Sequence, residues 1–262
     1  MPHVAIDAAR PIALLADVHA NIEALDTVLA CLDERGVTSA IVLGDLIGYG
    51  ASPAACIDRI RSRGFIAIRG NHEDMLIDVS HVERTRALKP SARRALAWTR
   101  SELDADQIDY VSSLPLASRL GDDMVAVHGS LVDPRHCYAY IYEFSLGLNV
   151  DRLREIGPRP GTLLCFGHTH HPAVYVALPA GPRTLDVGCA TIRLDPEHLH
   201  LVNPGSVGFA RDGDPRASLM IFTPSTRSLE CVRLEYDIES AAARIRAAGY
   251  DSTLADRLLS AR

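Results

Sequence analysis

The sequence has no excess of positive charge. Lysine and arginine number 27 against 33 aspartates and glutamates, for a net charge of −6. Basic surfaces drive association with nucleic acid and with anionic membranes, so the bulk composition argues against both partners. No apolar run approaches the roughly 20 residues of a membrane span. No basic segment precedes the apolar stretch of MPHVAIDAARPIALLAD, as a signal peptide would require. No C-x-x-C pair occurs among the six cysteines, Cys31, Cys56, Cys137, Cys165, Cys189 and Cys231. Cysteines so scattered read as reduced, buried thiols rather than a disulfide scaffold. A cytoplasmic protein is expected from these absences. An anionic substrate would then need a local attraction, which a bound cation could supply. No internal repeat or low-complexity linker divides the chain, so one domain over residues 1–262 is expected.

What is present is a regular alternation. IALLA (12–16), SAIVL (39–43) and FIAIR (65–69) are short apolar runs suited to buried strands. Between the first two, Ile22, Leu25, Val28, Leu29 and Leu32 share one helical face, and Gly36 is a stop signal. Residues 53–63 open on Pro53, a favoured first helical residue. Strand, helix and strand in this order imply right-handed crossovers and a mostly parallel, helix-covered sheet. Residues 74–114 read as a helical insertion that could overhang a site. Strands resume at 123–127 and 162–166, with a helix at 146–156 between them. The runs at 173–178, 183–187, 199–202, 217–223 and 229–236 suggest a more antiparallel second half, followed by C-terminal helices.

Five of these strands end in a polar residue able to hold a metal. The stretches are LLADVH, VLGDLI, IRGNHE, AVHGS and CFGHTH. Ligands of α/β sheets bind at the carboxyl ends of strands, so parallel strands would bring these loops to one edge. They would deliver Asp17, His19, Asp45, Asn71, His72, His128, His168 and His170. This mixture of imidazole, carboxylate and amide oxygen suits first-row divalent metals and lacks the thiolates of a structural zinc site. It exceeds what one tetrahedral ion needs, and two ions sharing a carboxylate would use it. Taken singly, Asp17, Asp45 and Asn71 would read as helix N-caps, His128 as a buried histidine and the adjoining glycines as turn residues. The repetition over five strand ends is what those readings do not explain.

The ordered set D-x-H, G-D, G-N-H-E, H-G and G-H-T-H resembles the calcineurin-like metallophosphoesterase superfamily, from Asp17 to about Asp214. DVHANIEAL, GDLIGYG, NPGSVG and RDGDPRAS are closer to its small bacterial and archaeal phosphodiesterase-like branch. The resemblance implies an α/β fold of two mixed β-sheets packed as a sandwich and flanked by helices, with a two-metal site at one edge. It implies that Asp17, His19 and His170 hold one ion, that Asn71, His128 and His168 hold the other, and that Asp45 bridges them. His72 would face the substrate phosphate as the catalytic residue and assist the leaving group. The ions would be manganese, iron, zinc or nickel, with manganese favoured. A hydroxide between them would attack phosphorus in line.

The second motif departs from the protein phosphatases of the superfamily, which carry G-D-x-V-D-R-G. Here the stretch is Gly44-Asp45-Leu46-Ile47-Gly48-Tyr49-Gly50. Tyrosine cannot supply the two-pronged guanidinium grip on phosphate. This argues against a phosphoprotein phosphatase and against the symmetrically cleaving dinucleoside tetraphosphatases. The expected substrate is a small phosphodiester or phosphomonoester, nucleotide-like or aryl, with an asymmetric diadenosine-tetraphosphate hydrolase as the runner-up. A non-catalytic metal-binding scaffold is the alternative of another class, disfavoured by the complete ligand set. Tyr49 and Arg211 are carried as candidate substrate contacts, although RDGDP reads first as a solvated turn. Glu73 is a candidate to orient the imidazoles, equally readable as a helix-start glutamate. Asn21 is expected to cap or brace the first loop, and Asn203 to Ser206 to form a structural turn near the site. His171 is assigned a surface role or one behind the ligands, His198 and His200 surface or packing roles, and His3, His81 and His136 have no evident partners. The tyrosine-rich HGSLVDPRHCYAYIYEF stretch could line a pocket or a homo-oligomer face.

Overall fold

The structure is a computed structural model that describes residues 1–7, 9–78, 90–134, 137–188, 191–249 and 251–262. His81, His136 and Cys189 lie outside the described residues. Two mixed sheets are present, with eight α-helices among the described residues. The six-stranded sheet runs β10 (Thr191–Arg193), β13 (Ser228–Leu234), β12 (Ala217–Thr223), β2 (Ile12–Leu15), β3 (Ser39–Val42), β4 (Ile66–Ala67). The seven-stranded sheet runs β1 (His3–Val4), β5 (Ala117–Leu120), β6 (Met124–Val127), β7 (Leu163–Cys165), β11 (His200–Pro204), β8 (Pro172–Leu178), β9 (Gly181–Leu185). β2, β3 and β4 are parallel, as are β6, β7 and β11, while β12 and β8 close onto them antiparallel.

Side-chain alternation explains why these runs are apolar throughout. Ile12, Leu14, Ile41 and Leu43 point inward to meet Met124, Ala126, Leu163, Cys165 and Val202 of the other sheet. Their neighbours Ala13, Leu15, Ala40 and Val42 point outward against α1 (Ile22–Glu34) and α2 (Pro53–Ser62). On the opposite outer face, Val125, Val127, Leu164 and Leu201 pack against α6 (Leu146–Glu155). A strand covered on both faces needs apolar residues at every position, and each fully buried aliphatic side chain contributes about 1.5–3 kcal/mol.

The helical segment after β4 comprises α3 (Asn71–Ile77), α4 (Pro90–Ser101) and α5 (Ala105–Ser113). It does not act as one overhang. Val111 of α5 joins the outer core of the six-stranded sheet. Ala95 and Trp98 of α4 instead pack with Tyr49 and Phe209 beside the candidate site, together with α7 (Ile238–Ala248) and α8 (Ser252–Ser260). The edge strands β1 and β10, and β5 beside β1, have no counterpart in the apolar runs of the sequence.

His200 shares the inward face of β11 with Val202 and is 1% exposed. Its Nδ1 has no hydrogen-bond partner among the described residues. Burial, with the nearby Arg227 charge adding, lowers its pKa to about 4. The unfolded chain takes up that proton near the ordinary value of about 6.5, so the neutral ring favours the fold above that pH. Stability should fall as pH drops from about 6.5 towards 4, by up to about 3 kcal/mol from this residue. Denaturant unfolding across that range should show a shallower decline in His200→Leu than in the natural sequence.

Candidate metal centre

The candidate residues sit on loops that leave β2, β3 and β4 of one sheet and β6 and β7 of the other. The five strand ends therefore come from two sheets, three and two, and not from a single parallel one. Main-chain bonds knit the loops together: Asp17 N–H donates to Gly44 O at 3.1 Å, His19 N–H to Asp45 O at 2.9 Å, and Gly167 N–H to His128 O at 2.8 Å. The turns are sharp. Of nine described non-glycine residues with positive φ, seven lie here: Asp17, His19, Ala20, Asp45, Tyr49, His168 and His170. Each such residue costs on the order of 1–3 kcal/mol, and strain of this kind persists where surrounding structure over-determines it. At Gly70 a Cβ would lie 2.2 Å from Asp45 Oδ1. The glycine is needed because another loop's carboxylate occupies the place of a side chain.

Four imidazoles converge, and backbone carbonyls orient all of them. His19 Nδ1 donates to Ile47 O at 3.2 Å and His128 Nδ1 to Leu43 O at 2.7 Å. His168 Nε2 donates to Tyr138 O at 3.1 Å, and His170 Nδ1 donates to Phe209 O. A carbonyl only accepts, so each of these nitrogens carries hydrogen. The remaining nitrogens point inward, where a neutral ring offers a lone pair. His19 Nε2 and His170 Nε2 are 3.1 Å apart, and His170 Nε2 is 3.4 Å from Asp17 Oδ1. His128 Nε2 lies 3.2 Å from His168 Nδ1, 3.0 Å from Asn71 Oδ1 and 3.3 Å from Asp45 Oδ2. Asp45 Oδ2 is also 3.7 Å from His19 Nε2, between the two clusters. Lone pairs facing one another and two carboxylates form a donor set that a cation satisfies, and orienting carbonyls are the usual outer partners of metal-binding histidines. Asp17, His19 and His170 form one group close enough to hold an ion, and Asp45, His128 and His168 a second.

The electrostatics of the metal-free protein fit the same set. Burial holds His19 and His170 well below the ordinary histidine value, and burial with the His128 charge brings His168 down to about 3. Burial would also lower His128, but the charge and hydrogen bond of Asp45, with the Asp17 charge and the Leu43 carbonyl adding, together raise it to about 9. Burial would raise Asp45, yet His128, His72 and His19 hold it well below the usual carboxylate range. Burial lifts Asp17 to about 8, against the pull of His128.

Further residues hold this arrangement. Glu73 is fully buried and touches no imidazole, so its expected role is corrected. Its carboxylate accepts from Asp45 N–H at 2.8 Å, Gly70 N–H at 2.7 Å and Ile47 N–H at 3.1 Å, which pins the Asp45 loop to the start of α3. Ser206 Oγ donates to Asp17 O at 2.8 Å, and Asn203 Nδ2 to Gly167 O at 2.9 Å, so the turn braces the first and last loops. Asn21 both caps α1, accepting from Ala24 N–H at 3.1 Å, and donates to Gly208 O at 2.9 Å. The α1, α2 and α3 caps are Asn21, Ser52 and Gly70, so Asp17 and Asp45 are not helix caps.

His72 is half-buried, and its N–H donates to Asp45 Oδ1 at 2.9 Å. Its ring meets His19 edge-on at 4.9 Å and Tyr49 at 4.5 Å between centroids. Gly48, at φ +88°, lies so close that a Cβ would be 2.0 Å from His72 Nδ1. Arg211 is not on a solvated turn. It is half-buried, and its Nη2 donates to Tyr49 Oη at 3.1 Å. Tyr140, which sequence reasoning did not single out, stacks on His168 at 3.9 Å and 15°. Aromatic residues after His128 were the only sequence signal for it. His171 is exposed, as expected of a bystander, and His198 pairs with Asp195 at 2.9 Å on the surface.

Comparison with known proteins gives the family. Residues 11–227 match the model of the calcineurin-like phosphoesterase superfamily domain. The chain is 34% identical over 234 residues to the uncharacterized protein MJ0912 of Methanocaldococcus jannaschii, covering 89% of this chain and 91% of that one. It superposes on a metallophosphoesterase from Sphaerobacter thermophilus with a TM-score of 0.81 and 34% identity, covering 96% of this chain and 100% of that one. The hypothetical protein PH1004 from Pyrococcus horikoshii OT3 shares the fold, with a TM-score of 0.73, 20% identity, and 95% and 97% of the two chains covered. The chain belongs to the calcineurin-like phosphoesterase superfamily.

Two measurements test the centre. Manganese uptake must displace the proton on His128, so calorimetry in buffers of different ionisation enthalpy should show proton release at pH 7–8. Affinity should rise with pH towards about 9, where His128 loses its proton unaided. In Glu73→Gln an amide NH₂ would confront one of three backbone donors, and manganese affinity should fall roughly 10- to 100-fold.

Proposed function

We propose that this member of the superfamily is a two-metal phosphoester hydrolase acting on small nucleotide-like or aryl phosphate esters. The observation that carries this is the convergence of four imidazole lone pairs and two carboxylates in two clusters with Asp45 between them. Asp17, His19 and His170 would hold one divalent ion, and Asn71, His128 and His168 the other, with Asp45 shared. The nitrogen and oxygen donors suit manganese, iron, zinc or nickel, and manganese is the ion we favour. When bound, such ions neutralise phosphoryl charge and make a water acidic enough to act as nucleophile near neutral pH.

The chain's own groups do the remainder. Asp45 keeps the two donor clusters in register, because its side chain also accepts the N–H of His72. Burial holds the His72 ring neutral at pH 7, so it offers one N–H and one lone pair. That N–H can hydrogen-bond a departing ester oxygen and stabilise its charge. Tyr49 and Phe209, with ring centroids 4.8 Å apart, form an apolar wall beside it. Arg211 and Tyr49 are the proposed substrate contacts. Second-sheet loops and the Phe209 segment cover the ligands from behind, which limits water access and strengthens every charge interaction within.

Manganese-loaded protein should hydrolyse bis-p-nitrophenyl phosphate, and Asp45→Ala should abolish the reaction. His72→Asn should lower kcat about 10²- to 10⁴-fold while its metal content, read by elemental analysis, stays at two ions. A wild-type protein inactive with manganese, iron, zinc and nickel would favour the scaffold alternative instead.

A further inference from the structure

Arg211 is a half-buried cation. Among the described residues no carboxylate lies within ion-pair distance of its guanidinium, although its own loop is acidic. Asp212 is taken by Arg233, and Asp214 pairs with Arg216 at 2.6 Å. What holds Arg211 is neutral. Its Nη2 bonds the Tyr49 hydroxyl, its guanidinium carbon is 5.7 Å from the Tyr49 ring centre, and Tyr140 is a further neighbour. These tyrosines come from opposite sides of the centre, Tyr49 from the loop after β3 and Tyr140 from the loop after β6. The Arg211 Nε is buried and has no hydrogen-bond partner. The Tyr49 ring lies 4.4 Å from that of His19, and Tyr140 stacks on His168 at 3.9 Å, so the two tyrosines beside the guanidinium each border one donor cluster.

A half-buried guanidinium without a carboxylate is costly unless a ligand pairs with it. Neutral tyrosine tethers fix its position without cancelling its charge. A phosphodiester carries one negative charge and no terminal oxygen beyond those the ions would hold. A phosphomonoester carries close to two charges above its second pKa of about 6 and has a free terminal oxygen. We propose that Arg211, held between Tyr49 and Tyr140, selects esters with a dianionic terminal phosphoryl group over diesters. The proposal rests on the phosphoester reading above and gives it a substrate class. It also supplies, from a loop remote in sequence, the guanidinium that the Tyr49 position lacks.

The test uses the manganese-loaded full chain at pH 8, with two readouts. Calorimetry measures binding of inorganic phosphate and of dimethyl phosphate, and kinetics compares p-nitrophenyl phosphate with bis-p-nitrophenyl phosphate. Arg211→Gln should weaken inorganic phosphate at least tenfold and dimethyl phosphate less than threefold. The monoester-to-diester ratio of kcat/KM should fall at least tenfold, with Arg211→Lys between wild type and Arg211→Gln on both scales. Equal losses for the two anions, or no loss for either, would overturn the proposal, and thermal melting of each variant excludes misfolding as the cause. A wild type that hydrolyses neither ester, yet loses its phosphate preference in Arg211→Gln, would defeat the hydrolase reading and leave this one standing.

Discussion

The candidate centre depends on how four histidines are oriented. Each gives an N–H to a backbone carbonyl, those of Ile47, Leu43, Tyr138 and Phe209. Those carbonyls belong to loops of both sheets and to the segment after β11. A carbonyl that bonds a histidine is as fixed as the main chain that carries it. The tautomer of each ring, and the direction of its free lone pair, are therefore properties of the fold and not of side-chain rotamers. The His19 and His170 rings, whose lone pairs meet at 3.1 Å, would repel one another if they could turn away. They cannot turn without losing buried hydrogen bonds worth about 1–3 kcal/mol each when left unmade.

That orientation requires loops that are themselves rigid. Positive φ at Asp17, His19, Asp45, His168 and His170 is a local cost at each ligand loop. It is offset by the covered strands just behind, whose residues are apolar on both faces. It is also offset by cross-braces of three kinds. Glu73 ties three backbone donors of two loops, Ser206 and Asn203 tie the first and last loops, and main-chain bonds link Asp17 to Gly44 and His19 to Asp45. Close approach also explains a glycine such as Gly70, where Asp45 occupies the Cβ position.

Much of this was legible in the sequence because its carriers are local. An apolar run ending in Asp or His states both a buried strand and the group at its end, and all eight polar candidates do gather at one edge. What was not legible depends on tertiary partners. The strand ends divide between two sheets, which periodicity along one chain cannot express. Short edge strands such as Thr191–Arg193 are half exposed and carry no continuous apolar signal. Glu73 looks like any helix-start glutamate until its donors, the N–H groups of Asp45, Ile47 and Gly70, are known. Arg211 sits in a turn composition that ordinarily faces water, and only the packing of Phe209 against Tyr49 and α7 turns it inward.

The same dependence on packing bears on the comparison of motifs. Tyr49 occupies the place where related phosphatases carry an arginine, and from the motif alone the grip on phosphate is missing. In three dimensions the tyrosine ring and hydroxyl are a mount for Arg211, 162 residues away along the chain. A charge lost from one loop and delivered by another leaves the chemistry of the cleft similar while changing its geometry. The guanidinium now approaches from the side of the Phe209 segment, whose carbonyl also orients His170. Position of the charge and position of a ligand are thereby set by one stretch of backbone, residues 203–212. A change in that stretch acts on both at once, which a motif confined to Gly44–Gly50 would not reveal.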